Sequence, residues 1–372
     1  MIPHLIPRYL MPHFEDWVRI GLAFMVALLV AWLLTPPVKS FAEHVGAIDV
    51  PKDERRVHDH PIPRMGGLAI FLGFLLSVLL FVNISTQVLG IVLGAVIIVV
   101  MGAVDDIVSL KPGIKLLGQT VAAIVAIRCG IVFENISNPN IFSAETFIFV
   151  GWLSIPLTLL WIVGCTNAVN LIDGLDGLAV GVSGISSLTM LVVSLYVSEP
   201  VVSIMLSALV GACVGFLPYN FNPAKIFMGD VGSQFLGFVL STVSIMGLFK
   251  FHAIITFIVP MLALAVPLTD TAFAFIRRIA HGQSPFHADR GHLHHRLLAM
   301  GMSQKQAVAV IYGISAVLGL FAVLITGEGL PIRVICLVLT LAISVVVWLF
   351  VFHGNRRLHI HGETGEKSKN EG

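Results

Sequence analysis

Asp105 and Asp106 stand side by side at the end of an apolar run, Val88 to Val104, that is long enough to cross a bilayer. An ionised side chain costs about 2.5–3.5 kcal/mol at the middle of a membrane. Two adjacent carboxylates also repel unless a cation lies between them or one keeps its proton. At a helix C-terminus, where the macrodipole is negative, they are unfavourable a third time. The pattern recurs. Asp173 and Asp176 close another apolar run, Asp230 follows a third, and Asp289 lies beyond a fourth. Acids at the ends of successive apolar segments point to a divalent cation and a phosphorylated ligand.

Four more segments carry chemistry. Asn167, Asn170, Asp173 and Asp176 repeat with a strict spacing of three, so a helix or 3₁₀ segment would set them along one stripe. Gly174 and Gly177 let backbone approach closely there. Two amides and two carboxylates suit a metal–phosphate or nucleotide site, although a turn rich in Asn, Asp and Gly has the same composition. In the segment from Phe227 to Ser233, Gly229 and Gly232 bracket Asp230, and Phe227 offers a ring for a base. The segment from His287 to Arg296 holds four imidazoles (His287, His292, His294, His295) and two guanidiniums (Arg290, Arg296). Zinc is one reading of it. A sugar or pyrophosphate patch with Arg290 as a bidentate clamp is the favoured one, because the arginines repel a cation and no cysteine is near. Pro63, Arg64, Met65, Gly66 and Gly67 precede an apolar run as a close-packed helix entry. Asp270 is expected to pair with Arg277 or Arg278, or to support another site residue.

These groups need a scaffold, and the composition says which. Of 372 residues, 57% are hydrophobic and only 12% charged, against about 25% charged in soluble domains. The expected fold is therefore all-α, a polytopic membrane helical bundle of about eleven spans. The runs are 18–38, 66–84, 88–104, 115–132, 147–165, 178–197, 201–217, 234–249, 254–275, 307–326 and 332–352. Residues 1–352 form one domain and 353–372 a polar, disordered tail. The four cysteines have no metal-ligand spacing and imply no disulfide framework. No removable signal peptide precedes the first run. With this alternation, all but Arg8, Arg19, Arg128, Lys250 and Arg333 of the 22 Lys and Arg fall on one side. The positive-inside rule puts that side, the C-terminus and every acid named above in the cytoplasm, and the N-terminus outside.

Taken together, PRMGG at Pro63–Gly67, VDD at Val104–Asp106, NAVNLIDGLDGLA at Asn167–Ala179 and FMGDVGS at Phe227–Ser233 resemble the polyprenyl-phosphate N-acetylhexosamine-1-phosphate transferases. HADRGHLHH at His287–His295 is similar to the histidine motif of the branch that uses UDP-N-acetylglucosamine. The resemblance implies a bacterial inner-membrane enzyme facing the cytoplasm. It would transfer GlcNAc-1-phosphate to undecaprenyl phosphate, release UMP and start an envelope polysaccharide. It further implies Mg²⁺, with Mn²⁺ able to substitute, held by Asp230 and Asn170. Asp105, Asp106 and Asp230 would be catalytic. Asn167, Asn170, Asp173, Asp176, Phe227, Arg290, His292, His294 and His295 would bind substrate. A UDP-sugar and a polyprenyl phosphate would be the partners, a homodimer is compatible, and no nucleic acid is involved. The alternatives are another UDP-sugar, such as phospho-MurNAc-pentapeptide, or a membrane carrier with a carboxylate relay. A carrier places its acids near the bilayer midplane, whereas these gather at one surface.

Overall fold

In the computed structural model, the structure describes residues 14–51, 60–137, 147–197, 199–248, 255–280 and 292–326, with 334, 335, 338, 340 and 342. Helices dominate: α1 (Phe14–His44), α2 (Gly67–Phe81), α3 (Thr86–Val108), α4 (Pro112–Arg128), α5 (Ser154–Leu171), α6 (Leu178–Tyr196), α7 (Pro200–Asn220), α8 (Gly229–Val243), α9 (Ile255–Ala263), α10 (Ala265–Ala280), α11 (Leu293–Ala299) and α12 (Gln304–Thr326). Two antiparallel strand pairs add little. One joins β1 (Ile48–Asp49) to β2 (Ile62–Pro63), the other β3 (Asn135–Ser137) to β4 (Phe147–Phe149).

The bundle is built around α8. All fifteen of its residues are buried, and a π-helical stretch, Ser244–Leu248, continues it. A helix buried on every side has to sit inside other helices, and its polar side chains, Asp230 and Gln234 among them, find partners within the bundle. Helices α3 and α5 flank it, and α2 and α6 pack on it as well. Phe71 and Phe74 of α2 meet Phe235 edge-on, each with ring centroids 5.5 Å apart. Trp161 of α5 donates its indole N–H to Ser241 O (3.3 Å) and Ser244 Oγ (3.2 Å). Close approach depends on small residues, as is usual where lipid supplies no hydrophobic drive between helices. A Cβ on Gly232 would overlap the backbone of Gly67, one on Gly102 the backbone of Val231, and one on Gly237 that of Cys165 and Thr166. Large apolar side chains such as Trp32, Leu79, Leu80, Val100 and Leu117 are exposed on the outside, as a lipid-facing surface requires.

The chain is an all-α membrane protein, and six helices among the described residues are long and apolar enough to cross a bilayer. Helix covers most of each expected run from 18–38 to 307–326, although the run 147–165 opens with β4 and a 3₁₀ turn, and α5 starts only at Ser154. The run 254–275 departs from expectation because it breaks at Leu264 into α9 and α10. Pro267 has no N–H to give to Ala263, and the helical ladder restarts with Leu268 N–H on Leu264 O (3.0 Å). Most of the run 332–352 lies outside the described residues.

Replacing Gly232 by Val should lower the thermal midpoint in detergent markedly, since overpacking costs about 1–3 kcal/mol even where side chains give way, and here backbone stands opposite. Wild-type melting of that variant would show that α2 and α8 do not cross at this point.

Candidate active site

The site forms where the C-terminus of α3 meets the N-terminus of α8. Asp106 accepts the backbone N–H of Asp230 (3.0 Å) and of Val231 (3.3 Å). A carboxylate from one helix thus satisfies two of the donors that another helix leaves unpaired at its start. The positive end of α8 offsets the charge that α3's own dipole disfavours. Gly229 makes this contact possible. Its φ is +72°, and a Cβ there would overlap the Asp106 carboxylate. Arg64 completes the set, with Nε 3.3 Å from Asp106 and a guanidinium nitrogen 3.9 Å from Asp230.

Main-chain pairing puts Arg64 there. Phe227 N–H donates to Pro63 O (2.8 Å), Gly66 N–H to Phe227 O (2.9 Å) and Gly67 N–H to Met228 O (2.8 Å). Two motifs separated by some 160 residues of chain therefore run side by side. Burial works against the Arg64 charge, but Asp106, Asp230, Asp49 and Asp105 outweigh it and hold its pKa above the ordinary value.

Lys115, in the first turn of α4, ties the other two carboxylates together. Its Nζ lies 2.5 Å from Asp105 Oδ2 and 2.7 Å from Asp230 Oδ2. Asp105 Oδ1 accepts the Leu110 N–H (2.6 Å), and Asp230 Oδ2 also accepts from Gln234 Nε2 (3.0 Å). Gln234 in turn accepts from Gln119, which accepts from Asn167. Asn167's amide is thus engaged inside the bundle.

The three-residue stripe expected over 167–176 does not stay in line. Helix α5 ends at Leu171, so Asn167 and Asn170 lie on its last turns while Asp173 and Asp176 fall in the turn before α6. Asp176 Oδ2 faces the α7–α8 connection, accepting from Asn222 Nδ2 (2.9 Å) and Ala224 N–H (3.0 Å). Asp173 faces the centre. Burial raises its carboxyl to about 8; Asp230, Asp106 and Asp176 push the same way and Arg64 opposes them. Asn170 and Phe227 are both half-buried.

The histidine segment closes over this turn. His292 Nδ1 is 2.9 Å from Asp270 Oδ2, and Leu293 N–H donates to Asp270 Oδ1 (2.8 Å). Asp270 therefore pairs with His292, in line with the expectation that it supports another site residue. The rings of His292 and His294 lie parallel at 5.9 Å, and His295 lies 4.3 Å from His294. His294 rests on Gly174, where a Cβ would overlap its ring. Burial, with His295 and His292 adding to it, lowers the His294 pKa to about 4. Arg290, His287 and Asp289 lie outside the described residues.

Sequence reasoning missed Lys115, Gln119 and Gln234 and treated Arg64 only as part of a glycine motif. A signal was present. Lys115 and Gln119 are spaced i, i+4 in an apolar helix, as are Asp230 and Gln234, and such pairs share a face.

Residues 88–248 match the family model described as glycosyl transferase family 4. A Bacillus subtilis protein described as a probable undecaprenyl-phosphate N-acetylglucosaminyl 1-phosphate transferase is 43% identical over 84% of this chain and 86% of its own length. The decaprenyl-phosphate N-acetylglucosaminephosphotransferase of Mycobacterium tuberculosis is 35% identical over 79% of each chain. A phospho-N-acetylmuramoyl-pentapeptide-transferase of Staphylococcus epidermidis is 28% identical over 80% of this chain and 96% of its own. With its four motifs meeting at one end of a membrane bundle and relatives that match along most of their length, the chain belongs to glycosyl transferase family 4, among the polyprenyl-phosphate N-acetylhexosamine-1-phosphate transferases.

Proposed function

We propose that this enzyme transfers GlcNAc-1-phosphate from UDP-GlcNAc to undecaprenyl phosphate at the cytoplasmic surface of a bacterial inner membrane. The observation that carries the reading is the cluster itself. Asp105 and Asp230 share the ammonium of Lys115, and Arg64 lies against Asp230 and Asp106. Around it stand the other motifs that resemble the family, and relatives named for this transfer match along most of the chain. An oxygen of the lipid phosphate forms a bond to the β-phosphorus of the UDP-sugar. The bond from that phosphorus to the bridging oxygen breaks, and UMP leaves with the oxygen. The product is a polyprenyl-pyrophosphoryl sugar. Such a transfer asks the protein mainly for positioning and charge offset.

The residues fit a magnesium ion. Asp105, Asp106, Asp173 and Asp230 outnumber the cations Arg64 and Lys115, and the donors are all hard oxygens. Among the described residues no three His, Cys, Asp or Glu side chains converge to hold a metal by themselves. That matches Mg²⁺, which takes one or two carboxylates and completes its shell with phosphate oxygens and water. Asp230 and Asn170 would hold it, and it would offset charge on the pyrophosphate.

The geometry divides the adjacent acids. Asp106 has its oxygens taken by α8 and Arg64, so it serves as a strut. Asp105 faces Lys115 and the centre, which makes it the group that meets the lipid phosphate. Arg64 and Lys115 receive phosphate oxygens. Asp173 and Phe227 line the uridine side, Asp176 holds the loop behind them, and His292, His294 and His295 with Arg290 meet the sugar or pyrophosphate. The eleven spans expected from the apolar runs, with the basic connections inside, would put all of these at the cytoplasmic face.

With undecaprenyl phosphate and Mg²⁺, labelled UDP-GlcNAc should yield label in the lipid phase and free UMP, both abolished by EDTA. UMP release with a different UDP-sugar only would keep the reaction and change the substrate. Asp230→Asn should lower kcat by about 10²–10³-fold while the protein still melts cooperatively, on the scale of losing one charge-stabilising group. Asp173→Asn should melt at a higher temperature than wild type between pH 5 and 8. A carboxyl raised to about 8 opposes folding increasingly as pH climbs above its unfolded value, and the amide removes that cost. Turnover should nevertheless fall, and a variant that is less stable at pH 7 would show that the carboxyl is not raised in the folded protein. Wild-type stability from His294 is fully present above about pH 6.5 and lost as pH falls toward 4, because the folded pKa is depressed. His294→Gln should flatten that limb of a melting-temperature profile, and an unchanged limb would show that His294 is not its source.

A further inference from the structure

A line of amides, two of them buried and the third, Asn167, half-buried, runs from Asp230 into the bundle across three helices. Gln234 of α8 donates Nε2–H to Asp230 Oδ2 (3.0 Å). Gln119 of α4 donates Nε2–H to Gln234 Oε1 (2.9 Å). Asn167 of α5 donates Nδ2–H to Gln119 Oε1 (2.6 Å) and to Val163 O (2.8 Å), and its own Oδ1 accepts the second Gln119 hydrogen at 3.3 Å. Gln234 is 0% exposed and Gln119 is 2% exposed.

The direction of this line is dictated by its end. A carboxylate accepts and does not donate, so Gln234 must turn its NH₂ to Asp230 and its oxygen away. That oxygen requires a donor, which turns Gln119, whose oxygen then requires one from Asn167. One N–H at each step, from Asn167 to Gln119 to Gln234 to Asp230, points toward the charge, while the second Gln119 hydrogen returns to Asn167 Oδ1. In a medium of low dielectric such bonds polarise one another, and the last is charge-assisted. The helical spacing repeats the arrangement: Lys115 and Gln119 on α4 face Asp230 and Gln234 on α8 as two rungs, one ionic and one neutral.

We propose that Gln234, Gln119 and Asn167 form a polarised amide relay that orients Asp230 from behind, with Asn167 a positioning residue that acts through the relay and not on substrate. The inference rests on Asp230 lying at the reacting centre, as proposed above. A bundle merely glued by amides would be indifferent to their direction; a relay that serves Asp230 is not.

The test is a double-mutant cycle of Asn167→Ala and Gln119→Met in the full-length protein, with kcat and KM for UDP-GlcNAc measured separately and UDP-GlcNAc affinity measured by calorimetry without lipid acceptor. Asn167→Ala should lower kcat on the order of tenfold, the scale of one buried hydrogen bond, and leave KM and affinity within about twofold. Adding Asn167→Ala to Gln119→Met should cost nothing more, because the line is already cut. Additive losses in kcat, or a weakened affinity for UDP-GlcNAc in Asn167→Ala, would overturn the relay and return Asn167 to the substrate. If Gln119→Met does not fold, the split between kcat and affinity in Asn167→Ala decides by itself. Asp230→Asn separates the two readings. Full turnover there removes the reacting centre from Asp230, whereas an inactive Asp230→Asn beside an additive cycle removes the relay alone.

Discussion

The site depends on one contact, the carboxylate of Asp106 on the first N–H groups of α8. It joins two helix ends whose needs are opposite. The end of α3 carries more negative charge than its dipole tolerates, and the start of α8 presents donors with nothing inside the helix to accept them. Each resolves the other, and the join sets where Asp230 projects. Gly229 has to be glycine for this, because both its backbone angle and the Asp106 carboxylate exclude a side chain.

Around that join the charges are arranged as bridges. Lys115 spans Asp105 and Asp230, and Arg64 spans Asp106 and Asp230. Asp230, reached by both cations and by Gln234, is the shared member. With Asp173 largely protonated at neutral pH, the three carboxylates of Asp105, Asp106 and Asp230 still face only two cations, an excess of negative charge that a magnesium ion would relieve as phosphorylated substrates arrive. The side chains of both cations are only partly buried, each 28% exposed.

Such a cluster survives in a membrane protein because the bundle shields it from lipid. Helix α8 is buried on every side, and glycines at its crossings with α2, α3 and α5 let those helices come close enough to seal it. Packing and chemistry thus share residues. Gly67 lies next to the strand-like pairing that delivers Arg64, and Gly174 gives His294 the space to fold over the Asp173 turn.

Much of this was legible in the residues. Apolar run length and scarcity of charge establish a helical membrane bundle, since only satisfied backbone can cross a bilayer. The costliest residues in that setting, Asp105, Asp106, Asp173 and Asp230, mark the candidate site by their expense alone. What the sequence does not hold is which partner each acid takes. Asp105 and Asp106 are indistinguishable as neighbours in a chain, yet a rotation of about 100° per residue turns one toward Lys115 and the other onto α8. Asp176 and Asp173 share a motif and face different elements because α5 ends between Asn170 and Asp173. Lys115 reads as a loop charge until α4 brings it beside Asp230, and Asp270 finds His292 only once α10 has broken from α9. Spacing along one helix is local and survives in sequence; contact between helices depends on crossing angle and close approach, which the tertiary structure alone decides.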